Sequence, residues 1–333
     1  MRKTVFVTGG AGYVGSHCCK AFAQSGWNVV VYDNLSRGWA DFVKWGPLIE
    51  GDILDLDRLT QAMRQAKPDA VAHFAALAYV GESVVQPADY YRVNTVGALN
   101  VLSAMRTAGV NQIVFSSTCA TYGLPLKTPI DEDQTQRPIN PYGWSKLFVE
   151  RMLIDHDAAY GIRHVALRYF NAAGADPFGE LGERHDPETH IIPLAIQGVR
   201  RDGDIFQVYG TDYDTLDGTA VRDYVHVSDI AKAHLLSIQH LVRGGVSMAC
   251  NLGTGAGTSV REVIRAVELV SGKSLLVATS DRRAGDPPLL IADASRAAKE
   301  LNWIPTRSRI EDIIVDAWRW HQTDDKRAQV CAL

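Results

Sequence analysis

The sequence predicts an α/β fold in which a doubly wound parallel sheet is joined to a smaller, mixed C-terminal lobe. Over the first half of the chain, apolar runs typical of buried strands alternate with amphipathic helical patterns. A glycine-rich segment directly follows the first apolar run, and a carboxylate ends the second. Beyond about residue 170 the alternation loosens and Pro, Gly, Asp and Thr become frequent. We therefore expect the second lobe to be interleaved with late strands of the sheet.

The individual elements are predicted from the period of the apolar residues. Because the connections between alternating strands and helices are short, the strands are expected to be parallel and covered on both faces. Strands are predicted near residues 3–8, 28–33, 69–74, 111–116 and 163–168. Helices are predicted at 13–25, 55–66, 86–108 and 142–160, and shorter ones near 192–201, 228–241, 259–271 and 309–321.

Composition restricts the class of protein. The 333 residues are 46% hydrophobic and carry a formal net charge of −4 without a basic stripe, so we expect no nucleic-acid partner. The longest apolar stretch, near residues 70–81, is too short to span a bilayer, and the N-terminus does not resemble a signal peptide. The five cysteines show no CxxC spacing, which favours reduced thiols and a cytoplasmic location.

Residues 8–15, TGGAGYVG, are the most informative motif. Gly9, Gly10 and Gly12 carry no Cβ, so backbone N–H groups can approach a pyrophosphate at the start of the following helix. Gly15 allows that helix to pack closely on the strand. Since strand, glycine loop and helix follow in this order, the sequence predicts a dinucleotide-binding Rossmann fold.

An acidic residue identifies the dinucleotide. Asp33 ends the second apolar run, 18 residues after Gly15, where this fold places the acceptor for the ribose 2′-hydroxyl. A carboxylate there repels a 2′-phosphate, so NAD is the predicted cofactor. Arg37 lies close enough in sequence to leave NADP as an alternative. The alternative is that no cofactor binds here, and that the glycines form an ordinary turn and Asp33 caps a helix.

A tyrosine and a lysine at a predicted helix start form the second motif. Tyr142 and Lys146 follow Pro141 and, four residues apart, share one helix face. The ammonium group is expected to lower the tyrosine pKa from about 10 toward the working pH. Tyr142 is therefore a candidate general base and acid for a hydroxyl or carbonyl group. An ordinary surface pair is the alternative.

The run IVFSST at residues 113–118 is a predicted strand that ends in hydroxyl groups. Ser116, Ser117 and Thr118 should therefore lie at the carboxyl end of the sheet, beside the cleft. We expect Thr118 to bridge a substrate oxygen to the Tyr142 phenol; a polar strand end is the alternative.

Two histidines raise the question of a metal. His185 and His190 belong to the loop ERHDPETH. No other residue in the sequence was identified that would complete a ligand set, so no metal is predicted.

Together, these motifs resemble the extended short-chain dehydrogenase/reductase superfamily. Within it, longer segments covering nearly the whole chain resemble the UDP-glucose 4-epimerase family, closest to the bacterial and plant branch that carries SSTCATYG and includes pentose epimerases. These segments are GDILD at 51–55, HFAALAYVGESV at 73–84, Asn94, FSSTCATYG at 115–123, RYFNAAGA at 168–175, TDYDTLDGTAVRDYVHV at 211–227, NLGTG at 251–255 and RRAGDPP at 282–288.

The resemblance implies an NAD-binding Rossmann domain at residues 1–170 and a UDP-sugar-binding lobe at 171–333. It also assigns residues to both ligands, with two arginines whose planar forks suit a diphosphate. The implied cofactor residues are Gly9, Gly12, Tyr13, Val14, Gly15, Asp33, Asn34, Asp52, Ile53, Phe74, Ala75, Ala76, Ala78, Asn94, Ser116, Tyr142, Lys146 and Phe170. The implied substrate residues are Thr118, Tyr142, Asn171, Ile191, Tyr209, Arg222, Arg283, Asp286 and Leu290.

The implied reaction inverts C4 of a UDP-hexose. Tyr142, aided by Thr118, takes the proton of the 4-hydroxyl while C4 gives hydride to NAD⁺, and the 4-keto sugar turns over before the hydride returns. Leu290 stands where many members have a tyrosine, so UDP-xylose/UDP-arabinose and UDP-N-acetylhexosamine remain alternative substrates.

A dehydratase or net oxidoreductase and a non-catalytic protein are the alternative functions for this fold. Sugar-nucleotide dehydratases carry a carboxylate just after the active-site hydroxyl, whereas Thr118 is followed by Cys119 and Ala120. This difference argues against a dehydratase or a net oxidoreductase. A non-catalytic dinucleotide-sensing protein would have no need of Thr118, Tyr142 and Lys146 together.

The resemblance further implies a homodimer, in which the helices at 86–108 and 142–160 pair across a two-fold axis. These helices carry apolar residues that one face of the sheet would not fully cover, although a place in the core is the alternative for each. They are Val96, Leu99, Leu102, Leu147, Val149 and Leu153.

Overall fold

The computed structural model describes residues 2–201, 203–283 and 285–331. Its strands are β1 Thr4–Thr8, β2 Asn28–Asp33, β3 Leu48–Glu50, β4 Ala70–His73, β5 Gln112–Thr118, β6 Arg163–Tyr169, β7 Asn171–Ala173, β8 Phe206–Tyr209, β9 Val221–Arg222, β10 Tyr224–His226, β11 Met248–Leu252, β12 Thr258–Ser259, β13 Val277–Ser280 and β14 Leu289–Leu290. Its α-helices are α1 Tyr13–Gln24, α2 Leu56–Ala66, α3 Val80–Val85, α4 Pro87–Tyr90, α5 Gly97–Ala108, α6 Pro141–Tyr160, α7 Ile191–Arg200, α8 Val227–Val242, α9 Val260–Ser271, α10 Ser295–Leu301 and α11 Ile310–Cys331.

The central sheet has seven strands in the order β11-β6-β5-β4-β1-β2-β3, and every neighbouring pair is parallel. Strands buried on both faces need continuous apolar runs. β1 meets this requirement, because Val5, Phe6 and Val7 are all fully buried. The predicted doubly wound parallel sheet is therefore confirmed, and its strand order reverses beside β1, where such folds bind dinucleotides.

Helices cover both faces of this sheet. On one face α1 packs against α8, and on the other α2 packs against α5, with α6 beside it. The alternation of side chains along each strand separates the two cores. The first core includes Val5, Val7, Phe22, Ile230, Leu252 and Trp303, and the second includes Phe6, Leu59, Met63, Leu102, Val149 and Leu153.

A smaller lobe is built from three short sheets. β7 pairs with β10, β8 pairs with β13, and β9 lies between β12 and β14. Helices α7, α9 and α11 pack on one another around a separate apolar core. Among the described residues, no helix has both the length and the apolarity that are needed to cross a membrane.

The helical segment predicted at 86–108 is confirmed, and the structure adds a π-helical turn in its middle. The chain forms α4, then a π-helical turn at Tyr91–Val96, and then α5. A π turn inserts an extra residue into the helical ladder, and such turns often lie at functional sites. Here the turn carries Asn94, whose side chain accepts a hydrogen bond from the Leu77 N–H at 2.8 Å and donates to Ser145 Oγ at 2.9 Å.

The apolar residues noted on α5 and α6 divide into two groups. Leu102, Val149 and Leu153 are at most 1% exposed and belong to the core of the single chain. Val96 and Leu99 are 48% and 42% exposed, and Leu147 is half-buried. The exposed part of this surface continues onto Trp144 and Phe148 of α6.

Candidate active site

The glycine loop joins β1 to α1 as the sequence predicts. Gly9 has φ +76°, and a Cβ there would lie 2.4 Å from the Ala75 backbone nitrogen. A Cβ on Gly15 would lie 2.2 Å from the Gly9 carbonyl oxygen, so the close packing of helix on loop requires glycine at both positions. Gly12 precedes α1 and provides no side-chain cap. The first-turn N–H groups of α1 therefore fit the pyrophosphate of a dinucleotide.

Asp33 lies at the carboxyl end of β2, beside this loop. Its Oδ2 accepts a hydrogen bond from the Ala11 N–H at 3.0 Å, and its Oδ1 accepts one from the Leu35 N–H at 2.9 Å. Burial raises the pKa of Asp33, and these two bonds oppose the rise. Each carboxylate oxygen has a second lone pair, so the side chain can still accept a ribose hydroxyl.

Arg37 forms contacts that disfavour the alternative cofactor. Its guanidinium pairs with Glu82 at 2.6 Å and lies 5.1 Å from the centre of the Tyr79 ring. A 2′-phosphate would have to compete with this ion pair. The arrangement therefore favours NAD over NADP.

The residues implied for adenine and its ribose lie at the carboxyl edge of the sheet. Asn34 Nδ2 donates to Asp52 Oδ2 at 2.9 Å, which joins the segments that follow β2 and β3. Ile53 is buried against Gly97, where a Cβ would lie 2.4 Å from the Ile53 methyl group. The structure therefore brings these three implied residues together.

The loop after β4 runs past the same edge. Phe74 packs on His234, with ring centres 4.7 Å apart, and Ala75, Ala76 and Ala78 follow it. Asn94 holds this loop, since it also donates to the Leu77 carbonyl oxygen at 2.9 Å.

Tyr13 connects the glycine loop to the smaller lobe. Its hydroxyl donates to the Gly174 carbonyl oxygen at 2.6 Å. Val14 beside it packs against the first core. The Tyr13 hydroxyl proton is therefore used in a hydrogen bond to the protein backbone.

The start of α6 positions the two residues of the second motif. The Asn140 side chain accepts a hydrogen bond from the Gly143 N–H at 2.8 Å, and Pro141 occupies the first turn. Tyr142 therefore lies in the first turn and Lys146 one turn later. Lys146 Nζ donates to the Ser116 carbonyl oxygen at 2.9 Å, at the end of β5. Burial lowers the pKa of Lys146 to about 7.

The phenol of Tyr142 does not titrate as the sequence analysis predicts. Burial raises the pKa of Tyr142 to about 12, and a hydrogen bond with Thr118 opposes the rise. Lys146 Nζ lies 5.9 Å from the centre of the Tyr142 ring. The prediction that Lys146 lowers the pKa of Tyr142 is wrong, because burial raises this pKa and the Lys146 ammonium is hydrogen-bonded to the Ser116 carbonyl oxygen.

A buried network behind the motif was not predicted. Ser117 Oγ donates to Glu150 Oε1 at 2.5 Å, and Arg168 Nη2 lies 2.6 Å from Glu150 Oε2. Both side chains of this ion pair are 6% exposed. Ser116 Oγ is hydrogen-bonded to the Tyr169 hydroxyl on β6. The network fastens α6 to the carboxyl ends of β5 and β6.

The residues implied for the substrate lie mainly in the smaller lobe. Arg222 on β9 is in register with Leu290 on β14 and forms an ion pair with Asp286. The Arg283 guanidinium lies 4.1 Å from the centre of the Tyr209 ring.

Two of these substrate positions connect the lobe to the central sheet. Leu290 packs in a small apolar cluster with Cys119, Tyr122 and Phe170, beside the end of β5. Asn171 begins β7, where its N–H donates to the Asp223 carbonyl oxygen at 3.1 Å. Ile191 begins α7, next to the histidine-containing loop.

The two histidines of that loop have acidic neighbours that the sequence analysis missed. Glu183, His185, Glu188 and His190 place one side-chain ligand atom each within 4.8 Å of one another. The expectation that nothing accompanies the histidines is therefore wrong. The alternating spacing E-x-H-x-x-E-x-H was the available signal.

Comparison with known proteins agrees with this geometry. The model of the "NAD dependent epimerase/dehydratase family" matches residues 5–253. The chain belongs to this family, and its cofactor is NAD. It is 52% identical over 321 residues to a UDP-glucose 4-epimerase of Rhizobium leguminosarum bv. trifolii, which covers 96% of this chain and 97% of the relative.

Two solved structures of UDP-glucose 4-epimerases are similar to this chain in fold and sequence. A UDP-glucose 4-epimerase from Brucella ovis in complex with NAD superimposes with a TM-score of 0.93 at 52% identity, covering 95% of this chain and 97% of the other. A UDP-glucose 4-epimerase from Stenotrophomonas maltophila, with bound NAD and formylated UDP-arabinopyranose, has a TM-score of 0.95 at 39% identity. That match covers 98% of this chain and 100% of the other.

Proposed function

We propose that the chain is an NAD-dependent isomerase that inverts C4 of a UDP-hexose and interconverts UDP-glucose and UDP-galactose. The observation that carries the proposal is the meeting of Tyr142, Thr118 and Lys146 at the carboxyl end of β5, beside the glycine loop. Epimerisation needs one acid/base group and a hydride carrier. The names of the relatives, which match almost the full length at 52% identity, support the same activity.

In this reaction Tyr142 is the proton carrier. As the phenolate, Tyr142 takes the proton of the sugar 4-hydroxyl and becomes the phenol, which later returns that proton, while Thr118 Oγ1 orients the sugar oxygen and the Tyr142 oxygen. The glycine loop and Asp33 would hold NAD⁺, which would supply reversible hydride transfer at C4 and a positive charge that favours the phenolate. Lys146 holds α6 against Ser116 and carries further N–H donors for the cofactor ribose.

The nucleotide part of the substrate supplies the binding energy. Arg222 and Arg283 would bind the diphosphate oxygens, for which guanidinium forks are well suited, and Asp286 would orient Arg222. Holding UDP firmly leaves the sugar free to turn over without being released. We assign residues 1–170 to cofactor binding and 171–333 to UDP-sugar binding, the latter interleaved with β11, a strand of the central sheet, and with α8, which packs on that sheet.

We also propose a homodimer formed through α5 and α6. Val96, Leu99, Trp144 and Phe148 are each at least 37% exposed, and the Trp144 and Phe148 rings pack 5.8 Å apart. A contiguous exposed apolar surface of this kind is typical of protein–protein contacts. A cytoplasmic location is proposed as well, because the described cysteines Cys18, Cys19, Cys119 and Cys250 are free thiols.

The test is incubation of the purified protein with UDP-glucose, UDP-xylose and UDP-N-acetylglucosamine in separate reactions, followed by sugar analysis. Conversion of UDP-glucose to UDP-galactose without net NADH formation is expected. Turnover of only the pentose or only the N-acetyl sugar would overturn the hexose assignment, and no turnover of any of them would overturn the epimerase proposal.

Position 290 offers a further control of sugar size. Leu290→Tyr should reduce any activity on the N-acetyl sugar while sparing UDP-glucose. The tyrosine ring is larger than the leucine side chain that it would replace beside Phe170. Equal losses on both sugars would show that the residue supports the pocket without selecting the sugar.

A further inference from the structure

Four side chains on one surface segment converge without belonging to the catalytic site. They are Glu183, His185, Glu188 and His190, and we call them the Glu-His cluster. Two imidazoles and two carboxylates are a ligand set that suits Zn²⁺. Burial opposes the shift, but the neighbouring carboxylates raise the pKa of His185 and of His190, so binding of the cation would release protons from these rings. We propose that the Glu-His cluster is a structural site for a divalent transition-metal cation, with Zn²⁺ as the preferred ion. The proposal does not depend on the epimerase activity.

The distances within the cluster are close to those of a tetrahedral site. His185 Nδ1 lies 3.2 Å from Glu183 Oε1 and 3.7 Å from Glu188 Oε1, while His190 Nδ1 is in direct contact with Glu183 Oε1. All four ligand atoms lie within 4.8 Å of one another. Bonds of about 2.0–2.2 Å to zinc place the ligand atoms of a tetrahedron roughly 3.3–3.6 Å apart. Small movements of the side chains therefore suffice to admit an ion.

One atom of the cluster points independently to a ligand. In the described part of the chain, His185 Nδ1 is a buried ring nitrogen that faces the Glu183 and Glu188 carboxylates but forms no hydrogen bond of acceptable geometry with them. Buried polar atoms normally have a partner, and an unmodified imidazole nitrogen is a strong metal donor. A cation between His185, Glu183 and Glu188 would satisfy this nitrogen.

The backbone of the segment is already fixed in place, which favours a preformed site. The Glu183 carbonyl oxygen accepts a hydrogen bond from Trp320 Nε1 at 3.1 Å, and the Arg184 carbonyl oxygen accepts one from Trp39 Nε1 at 2.9 Å. Glu188 Oε1 accepts hydrogen bonds from the Thr189 and His190 N–H groups at 2.8 and 2.9 Å. Metal binding would therefore cost little conformational entropy in this segment.

The chemistry of the site indicates a structural role. Four protein ligands complete a tetrahedral shell and leave no position for a reacting water. The His185 ring packs edge-on against Tyr13, at 6.1 Å between ring centres, and against Tyr79, at 5.7 Å. A bound cation would therefore hold residues 183–190 against the glycine loop and the segment after β4.

The experiment measures metal directly in tag-free protein that retains its cofactor. The protein is dialysed against a chelator, and then Zn²⁺ is added back and followed by elemental analysis and thermal unfolding. We expect close to one tightly held zinc per chain. Restoring it should raise Tm by on the order of 4 °C at a free concentration of about 100 times Kd. Replacement with Co²⁺ should give the visible absorption of a tetrahedral centre.

Variants locate the ion. His185→Gln and Glu188→Gln should each weaken zinc binding by more than roughly 100-fold, since loss of outer-shell groups alone costs about 10–100-fold. His156→Gln, a helix histidine outside the cluster, is the matched control and should bind zinc like the wild type. Absence of tight zinc in the wild-type protein, or zinc retained in both cluster variants, would overturn the proposal. If the wild-type protein holds no tight zinc, the Glu-His cluster is a metal-free group of histidine–carboxylate ion pairs.

Discussion

Lys146 Nζ donates a hydrogen bond to the Ser116 carbonyl oxygen, 2.9 Å away, and so fastens the catalytic helix α6 to the carboxyl end of β5. The ammonium group has three donors, and this bond uses one of them. The lysine is therefore first a positioning group within the protein, and burial disfavours its charged form and lowers its pKa to about 7.

Tyr142→Phe should remove proton transfer while keeping the aromatic ring. Turnover is expected to fall by roughly 10²–10⁴-fold, with UDP-sugar affinity nearly unchanged, because only the hydroxyl that exchanges the proton is lost. Steady-state kinetics and calorimetric binding of UDP would measure the two effects. Tyr160→Phe, on the exposed end of the same helix, is the control. Near-normal turnover of Tyr142→Phe would rule out this residue as the base.

Asp33→Ala should weaken retention of NAD. The change removes the acceptor for the adenosine ribose and costs on the order of 1.5–3 kcal/mol, which is about 10–150-fold in Kd. The NAD released on denaturation and calorimetric titration of stripped protein would measure the loss. Asp57→Ala, an exposed carboxylate in the first turn of α2, should leave both quantities unchanged. An equal loss in the two variants would contradict the assignment of Asp33.

Removing one partner of the Glu150–Arg168 pair should be strongly destabilising. Glu150→Gln leaves a buried guanidinium without its counter-charge, and we expect a loss of about 3–5 kcal/mol in the free energy of unfolding. Urea denaturation followed by circular dichroism is the measurement. Asp155→Asn breaks the exposed Arg151–Asp155 pair and should cost less than about 1 kcal/mol. Similar losses in both variants would show that burial does not govern the cost.

Charge placed on the exposed apolar surface should dissociate the homodimer. Leu99→Glu and Phe148→Glu introduce carboxylates that would be desolvated in the interface, so the variants should sediment as the 36.5 kDa chain. Leu269→Glu, at a residue 78% exposed on α9, should sediment as the wild type does. A wild-type protein that is monomeric at micromolar concentration would remove the basis for the proposed interface.

Acid should destabilise the fold through buried neutral histidines. Burial lowers the pKa of His73 to about 3 and those of His17 and His234 to about 4, below the unfolded value near 6.5. Between these values the unfolded chain binds more protons than the folded one. The contribution of these three histidines to stability is therefore full above pH 6.5 and is lost on acidification, by up to about 1.4 kcal/mol per pH unit for each histidine.

Urea denaturation between pH 7.5 and pH 4.5 would measure this acid dependence. His234→Leu should flatten the slope, whereas His240→Leu, whose ring is bonded near the surface, should not. A slope that is the same in all three proteins would show that other groups control the acid response.

Local patterns predicted where the glycine loop and Asp33 lie in the fold. The loop requires glycines because the backbones approach closely there, and Asp33 is placed by the end of β2. Both features depend on residues that are close together in the sequence. Helix starts such as Asn140–Pro141 are similarly local. The π-helical turn at Asn94 was not predicted, and the Asn94 side chain is bonded there to Leu77 and Ser145 from other segments.

Long-range contacts account for the remaining differences. The direction of the Tyr142 pKa depends on how far burial removes water from the phenol, which spacing along a helix does not show. Glu150 and Arg168 are 18 residues apart on different elements, so neither identifies the other in the sequence. Glu183 and Glu188 were visible beside the histidines, yet their convergence depends on how the loop folds back.

The position of β11 at the edge of the central sheet has a consequence for how the chain is made. This strand lies at residues 248–252 and pairs with β6, at residues 163–169. During synthesis the cofactor-binding half is finished long before the strand that covers its edge has left the ribosome. Until then β6 presents unpaired N–H and C=O groups, which invite association with other chains. Fragments that end near residue 170 should therefore aggregate, and the enzyme should resist dissection into two independently soluble halves.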